Sequence, residues 1–243
     1  MITEELFITA GAHTLAATEV LTDNNRPPRI VYLHGLGPTA TRHGIRYLLD
    51  ELAESGYGSL TFEFSGNGDS TGILAESTLA GRRAEALAAV AHLDESVPPV
   101  LIATSMGAHL AACIVPEVRP RALILFVPAA YPAGAEHHPF DGTQARPGNY
   151  ADSPAFAGLA EFDGDLLIVA GTNDQVARPE VVDGYLAHAG RARSVQVLWF
   201  DCDHFIHRWL PGHDLARAEV CQAILAVLAT APSVALQKGS SSW

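Results

Sequence analysis

Short apolar runs alternate with stretches of helical periodicity along most of the chain. Runs that contain β-branched residues and end at glycine, proline or polar turns predict strands, whereas apolar residues three and four apart predict helices. After an N-terminal hairpin, the predicted strands are 29–33, 58–64, 100–103, 122–127, 166–170 and 194–200. The predicted helices are about 41–55, 78–93, 106–115, 179–188 and 214–229.

The order of these elements predicts the class of fold. Strands this apolar are typical of a parallel sheet that is covered by helices on both faces. The first two segments, 5–9 and 13–21, instead alternate in polarity around Ala10-Gly11-Ala12, which predicts an antiparallel hairpin. We therefore expect an α/β protein with a mostly parallel sheet, an antiparallel start, and helices on both faces.

The domain organisation follows from where the alternation of strand and helix breaks. The alternation of strands and helices is not divided by a linker, which predicts a single domain over 1–231 and a flexible tail over 232–243. The segment 129–165 is the exception, because it is rich in proline, glycine, alanine and histidine. A loop of this length inside a compact domain usually has a function.

Composition narrows the class of protein. The 243 residues are 48% hydrophobic and 17% charged, with a formal net charge of −12 and no run of Lys and Arg. We therefore expect neither nucleic acid nor an anionic membrane as a partner. The N-terminus lacks the features of a secretory signal, and no apolar stretch is long enough to span a bilayer. Three cysteines without paired spacing favour a cytoplasmic protein with free thiols.

One serine lies at the corner between a predicted strand and a predicted helix. Ser105 is flanked by two small residues, Ala103 and Gly107, which is what a sharp strand-to-helix turn requires. Such a turn exposes the hydroxyl beside the free N–H groups of the helix N-terminus, where a developing oxyanion is stabilised. A buried serine that only caps the helix is the alternative.

The pattern small-x-Ser-x-Gly resembles the nucleophile elbow of the α/β-hydrolase superfamily, with Ala103 in place of the first glycine of the commonest form. The resemblance covers 29–229. It implies an esterase-like serine hydrolase whose nucleophile, acid and histidine occur in that order along the chain. It also implies that 129–165 is a small cap between the sixth and seventh strands.

The acid is expected after the strand 166–170. The sequence from Gly171 to Val176 reads Gly-x-x-Asp-x-Val, which resembles the acid motif of the family and assigns the role to Asp174. Ligands of open α/β sheets bind at the carboxyl ends of strands, where this residue falls. A solvated loop residue or a helix cap is the alternative for Asp174. Asp201 and Asp203 rank behind it because they are too close in sequence to the histidine.

The histidine is expected after the last strand. His204 follows the strand 194–200 and precedes an aromatic residue, which matches the catalytic histidine of the family. His207 and His213 are the nearby alternatives. A metal site over 201–204 is disfavoured because its ligands would come from adjacent residues. No metal and no cofactor are implied.

The resemblance assigns the oxyanion hole to two backbone N–H groups, those of Leu36 and Met106. Leu36 follows the pair His34-Gly35 at the end of the strand 29–33, and a simple strand-ending turn is the alternative there. The glycine-rich loop 66–72 is one residue out of register with a dinucleotide fingerprint and follows the wrong strand. It resembles instead the structural turn that the family has at this position.

These inferences together predict the cleavage of a carboxylic ester of modest size through a Ser105–His204–Asp174 triad and an acyl-enzyme. The partner is then a small acyl substrate. A thioesterase, an amidase or peptidase, and a lactonase use the same triad and stay open. A non-hydrolytic biosynthetic enzyme or binding protein on the same fold stays open as well.

Overall fold

The computed structural model describes residues 1–22, 28–93 and 98–230. Within these residues, eight strands form a single sheet in the order β1-β2-β4-β3-β5-β6-β7-β8. The strands are β1 (Ile2–Ala10), β2 (His13–Leu21), β3 (Ile30–Leu33), β4 (Ser59–Phe62), β5 (Val100–Thr104), β6 (Ala122–Phe126), β7 (Asp165–Gly171) and β8 (Ser194–Phe200). The pairs β1–β2 and β2–β4 are antiparallel, and every other pair is parallel. The predicted mostly parallel sheet with an antiparallel start is confirmed.

Helices cover both faces of this sheet. They are α1 (Arg46–Glu54), α2 (Leu79–Val90), α3 (Met106–Cys113), α4 (Val115–Val118), α5 (Pro154–Leu159), α6 (Pro179–His188), α7 (Ile206–Trp209) and α8 (Asp214–Ala229). Alternate residues of a strand point to opposite faces. In β5, Leu101 and Ala103 pack with α2, α3 and α6, whereas Val100 and Ile102 pack with α1 and α8. The sheet is therefore buried on both sides, as its apolar strands predict.

Three of the predicted helix boundaries are wrong, and one of them is the end of α2, which is at Val90 rather than near 93. Helix α1 begins at Arg46 rather than near 41, because the chain before it forms turns that bring Arg42 against the buried carboxylate of Glu63. The apolar face predicted for this helix is nevertheless buried. The helix predicted over 106–115 ends at Cys113, and a separate short helix, α4, begins at Val115 with Pro116 in its first turn. The short helices α5 and α7 were not predicted.

The predicted insert 129–165 falls between β6 and β7 and is held against the body of the fold. The Ala80 N–H donates to the Glu136 carbonyl at 2.8 Å, and the Phe140 N–H donates to the Ser77 carbonyl at 3.0 Å. The Tyr185 hydroxyl donates to the Ala129 carbonyl at 2.7 Å. The insert is thus anchored to the start of α2 and to α6.

The predicted flexible tail 232–243 lies outside the described residues. None of the helices within the described ranges is both long and apolar enough to cross a bilayer.

Candidate active site

Ser105 occupies a strained corner between β5 and α3. Its backbone angles are φ 53° and ψ −114°, a region that non-glycine residues rarely adopt. The corner is fixed on both sides, since the Ser105 N–H donates to the Phe126 carbonyl and the Ser105 carbonyl accepts from the amides of Ala108 and Ala129. The strain is therefore held by hydrogen bonds to β6 and to the helix that follows.

Gly107 allows this corner to lie against β3. A Cβ added there would be 2.2 Å from the Leu33 carbonyl oxygen and 2.7 Å from the His34 carbonyl oxygen. Both distances are too short for any side chain, so only glycine fits. These two contacts explain why the sequence pattern requires a small residue at this position.

The side chains of Ser105, His204 and Asp174 form one chain of hydrogen bonds. His204 Nε2 is 2.9 Å from Ser105 Oγ, and His204 Nδ1 is 2.7 Å from Asp174 Oδ2. A carboxylate only accepts, so Nδ1 carries the proton and Nε2 is left to accept from the Ser105 hydroxyl. This is the tautomer in which an imidazole can serve as a base toward a serine.

Asp174 is held rigidly from its other side. Its Oδ1 accepts from the amides of Val176 and Ala177, both at 2.8 Å, and the residue is 2% exposed. Both amides belong to the loop before α6, and the first turn of α6 has no side-chain cap, so Asp174 is not the helix cap that was the alternative for it. The two amides fix which oxygen faces the imidazole.

The loops after β7 and β8 are locked to each other. The Asn173 N–H donates to the Cys202 carbonyl at 3.1 Å, and its side chain donates to Asp201 Oδ1 at 2.6 Å. The Cys202 carbonyl also lies 2.4 Å from where a Cβ would be placed on Gly171. These contacts set the distance between Asp174 and His204.

The alternative residues weighed above have other partners. His207 binds Thr104 and Tyr47 through its ring nitrogens, and His213 stacks on the ring of Trp209. Asp201 accepts from Asn173, and Asp203 accepts from the amide of Phe205. None of these four contacts the Ser105 hydroxyl.

Of the two backbone amides predicted for the oxyanion hole, that of Met106 directly follows Ser105 in the chain, and Leu36 lines the same cavity as Ser105. The Leu36 and Met106 N–H groups donate to no other group in the described part of the chain. Leu36 follows Gly35, and a Cβ added to Gly35 would touch Ser105 Cβ at 3.4 Å. The loop after β3 therefore passes against the serine at Gly35, one residue before the Leu36 amide.

His34 supports this loop as a neutral group. Its Nδ1–H donates to the Gly35 carbonyl at 2.7 Å, and its Nε2 accepts from the Phe64 N–H at 3.0 Å. Burial, together with the nearby charge of Arg82, lowers the pKa of His34 to about 3. The imidazole thus links the turn after β3 to Phe64, which follows β4, through two hydrogen bonds.

Arg82 is a fully buried cation behind the elbow that the sequence pattern did not indicate. One of its N–H groups is 3.6 Å from Met106 Sδ, and another donates to Asn67 Oδ1 at 2.9 Å. Its guanidinium also lies over the rings of Phe64 and Phe140. Burial lowers the pKa of Arg82 to about 10, so the group remains charged at neutral pH.

The glycine-rich loop 66–72 encloses a buried carboxylate and does not resemble a phosphate cradle. Gly68 has φ +49°, and an added Cβ there would be 2.1 Å from the Glu63 carboxylate. The same carboxylate accepts from the Asp69 N–H at 2.8 Å and pairs with Arg42. The Asn67 side chain donates to the carbonyls of Gly37 and Ala40, which ties this loop to the wall of the site.

A cavity of about 190 Å³ opens over Ser105 and His204. One wall is the loop after β3, from His34 to Gly44, and the facing wall is the segment from His204 to Arg208. A second space of about 320 Å³ lies between Leu36 and the insert, with mostly apolar walls. Leu36 lines both and separates them.

A polar network that the sequence did not reveal forms the floor of the first cavity. Thr104 Oγ1 is 2.7 Å from His207 Nε2 and 3.2 Å from the Tyr32 hydroxyl, and His207 Nδ1 is 3.1 Å from the Tyr47 hydroxyl. Burial lowers the pKa of His207 to about 3, with a smaller contribution from His204, and raises the pKa of Tyr32 to about 12. The network is therefore neutral at physiological pH.

Comparisons of the sequence with known proteins give no relative. No family model matches it, and no curated protein matches it.

Comparison of the fold gives many matches among solved structures, of which three are described. Est1E from Butyrivibrio proteoclasticus, solved with ferulic acid bound, is 19% identical with a TM-score of 0.71, over 93% of this chain and all of that one. The Pyrococcus furiosus esterase PF2001 is 18% identical with a TM-score of 0.70, over 93% of this chain and 90% of that one. The thioesterase domain from the curacin biosynthetic pathway is 16% identical with a TM-score of 0.68, over 93% of this chain and all of that one.

These likenesses extend over nearly the whole chain and agree with the mostly parallel sheet with an antiparallel start. The chain therefore has the α/β-hydrolase fold, as its sequence pattern predicts.

Proposed function

We propose that this protein is a serine hydrolase that cleaves a carboxylic ester of modest size. The observation that carries the proposal is the continuous hydrogen-bond chain from Ser105 through His204 to Asp174, at the start of a helix. A serine hydroxyl needs an adjacent base, and that base needs a group that fixes its tautomer. A protein that only binds a ligand has no use for this arrangement.

In the acylation step, Ser105 Oγ forms a bond to the carbonyl carbon of the ester while its proton moves to His204 Nε2. The Leu36 and Met106 N–H groups bind the oxygen that becomes negative. The tetrahedral intermediate then breaks its bond to the alkoxy oxygen, which takes the proton back from His204 and leaves as the alcohol. Asp174 stabilises the imidazolium that exists between these two transfers.

In the deacylation step, a water molecule takes the place of the alcohol. His204 removes its proton as the water oxygen attacks the acyl carbon, and the same two amides bind the oxyanion. Collapse of this intermediate releases the carboxylic acid and returns the proton from His204 to Ser105 Oγ. The protein ends in its starting state, so the reaction needs no cofactor.

The two spaces on either side of Leu36 fit the two parts of a small ester. The first cavity contains Ser105 and His204, and the second offers apolar walls from Leu74, Phe140 and Pro147 beneath the insert. We propose that the acyl group lies in the apolar space and that 129–165 acts as the cap over it. The three cysteines, Cys113, Cys202 and Cys221, are all unpaired, which is compatible with a cytoplasmic location.

A panel of substrates with one acyl group tests the bond that is cleaved. Initial rates are compared for p-nitrophenyl butyrate, a butyryl thioester, butyryl p-nitroanilide and γ-butyrolactone, with Ser105→Ala as the blank. We expect the highest kcat/KM for the oxygen ester. A higher value for the thioester, the anilide or the lactone would contradict the proposed substrate class. No turnover of any of them by the folded protein would favour the non-hydrolytic alternative.

A further inference from the structure

Arg208 is a cation without a counter-ion at the edge of the first cavity. Within the described part of the chain it forms no ion pair, and its guanidinium carbon lies 4.7 Å from the centre of the Phe205 ring. The carboxylate closest in sequence, Asp203, accepts from the Phe205 N–H at 2.8 Å and forms no ion pair with Arg208. Stacking on an aromatic ring orders a guanidinium and leaves its N–H groups free to bind an anion.

The rest of this cavity is not acidic. Among the described residues that line it there is no Asp or Glu, and its polar lining groups include the hydroxyls of Thr39, Thr41 and Thr104. The imidazole of His207 is neutral because burial lowers its pKa to about 3. Of the lining residues that the structure describes, Arg208 is the one that is always charged. In a chain of net charge −12, such a cavity favours a negatively charged ligand.

The position of Arg208 indicates which part of the substrate bears that charge. Arg208 and Phe205 belong to the same short segment as His204, which hands its proton to the leaving oxygen in the proposed mechanism. The leaving alcohol therefore lies along this wall. The second space lies on the far side of Leu36 and has mostly apolar walls; the one charged side chain among the described residues that line it, Arg146, is exposed and does not belong to the segment of His204.

We propose that the leaving alcohol of the substrate carries a carboxylate, which the guanidinium of Arg208 binds. The natural substrate class is then an O-acyl hydroxy acid with an apolar acyl group. Arg208 is the residue that determines this specificity. The inference rests on the proposed ester hydrolysis at Ser105.

Two pairs of esters test whether the carboxylate matters and on which part of the substrate it must lie. The two esters of each pair have similar shapes. In the first pair the alcohol part is varied, with 3-acetoxypropanoate against 3-methylbutyl acetate. In the second pair the acyl part is varied, with monomethyl succinate against methyl 4-methylpentanoate. In each pair an isopropyl group replaces the carboxylate. Hydrolysis is followed by pH-stat for wild type, Arg208→Ala, Arg208→Lys and Arg208→Glu, with Arg191→Ala as a control that removes an exposed arginine in the turn before β8.

The measured quantity is the ratio of kcat/KM for the charged ester to that for its neutral partner. For the first pair, we expect Arg208→Ala to lower this ratio by about 10-fold or more, because the substitution removes a charge-assisted hydrogen bond. We expect a smaller fall on Arg208→Lys, a larger fall on Arg208→Glu, and no change on Arg191→Ala. Added salt should weaken the preference in wild type.

Three outcomes would overturn the inference. A first-pair ratio that is unchanged by Arg208→Ala, in an enzyme that hydrolyses both esters, contradicts it while leaving the proposed function intact. A fall confined to the second pair contradicts the assignment to the alcohol. If none of the four esters is hydrolysed by the folded protein, the proposed function fails and this inference fails with it.

Discussion

Replacement of Ser105 with alanine should lower kcat for an ester substrate by about 10⁴-fold or more. The hydroxyl is the atom that bonds to the acyl carbon in the proposed mechanism, and its 2.9 Å contact with His204 activates it. What remains is the activity that the oxyanion hole and substrate binding supply. Initial rates with p-nitrophenyl acetate, corrected for spontaneous hydrolysis, measure the effect.

The control for this experiment is a serine of the same protein that lies away from the site. Ser55 follows α1 and is exposed, so Ser55→Ala should retain full activity. Thermal unfolding of both variants should match wild type, since Ser105→Ala retains a Cβ at the strained corner and removes only one oxygen. Full activity in folded Ser105→Ala would contradict the proposed nucleophile.

Replacement of Asp174 with asparagine should lower kcat by about 10⁴-fold with little change in the fold. Oδ1 of Asp174 accepts from the amides of Val176 and Ala177, so the oxygen of the new side chain takes that position. Its NH₂ group then faces His204 Nδ1, which must become an acceptor. The ring proton moves to Nε2, so this nitrogen can no longer accept the proton of the Ser105 hydroxyl.

Asp201 provides the matched control because it lies on the neighbouring loop and undergoes the same chemical change. Asp201→Asn removes a charge but keeps an oxygen that can accept from the Asn173 side chain, so the contact between the two loops is retained and kcat should stay near the wild-type value. Rates of the two variants on the same ester at the same pH are compared. A larger loss on Asp201→Asn than on Asp174→Asn would show that the acid has been assigned to the wrong carboxylate.

The strands and the elbow could be predicted from the sequence because local rules fix them. A parallel strand that is buried on both faces must be apolar throughout, so β5, β6 and β7 stand out as continuous runs. The corner at Ser105 demands small neighbours for a steric reason that the contacts of Gly107 with β3 explain. Asp174 and His204 follow strand ends, and the carboxyl ends of parallel strands meet at one edge.

The features that the sequence did not predict depend on contacts between distant parts of the chain. Periodicity alone extended α1 back to 41, but the ion pair of Arg42 with Glu63 holds the preceding turns out of the helix. The floor of the cavity joins Tyr47 to His207, which are 160 residues apart. Neither residue carries a local signal for this contact.

The central claim is that Ser105 is a nucleophile because His204 takes its proton, and covalent labelling tests it most directly. Wild-type protein is treated with a fluorophosphonate probe, and the modified residue is located by intact mass and peptide mapping. We expect one probe per chain, attached to Ser105 Oγ, and a much slower reaction in His204→Ala. Folded wild-type protein that stays unlabelled, or that carries the probe on another residue, would contradict the account.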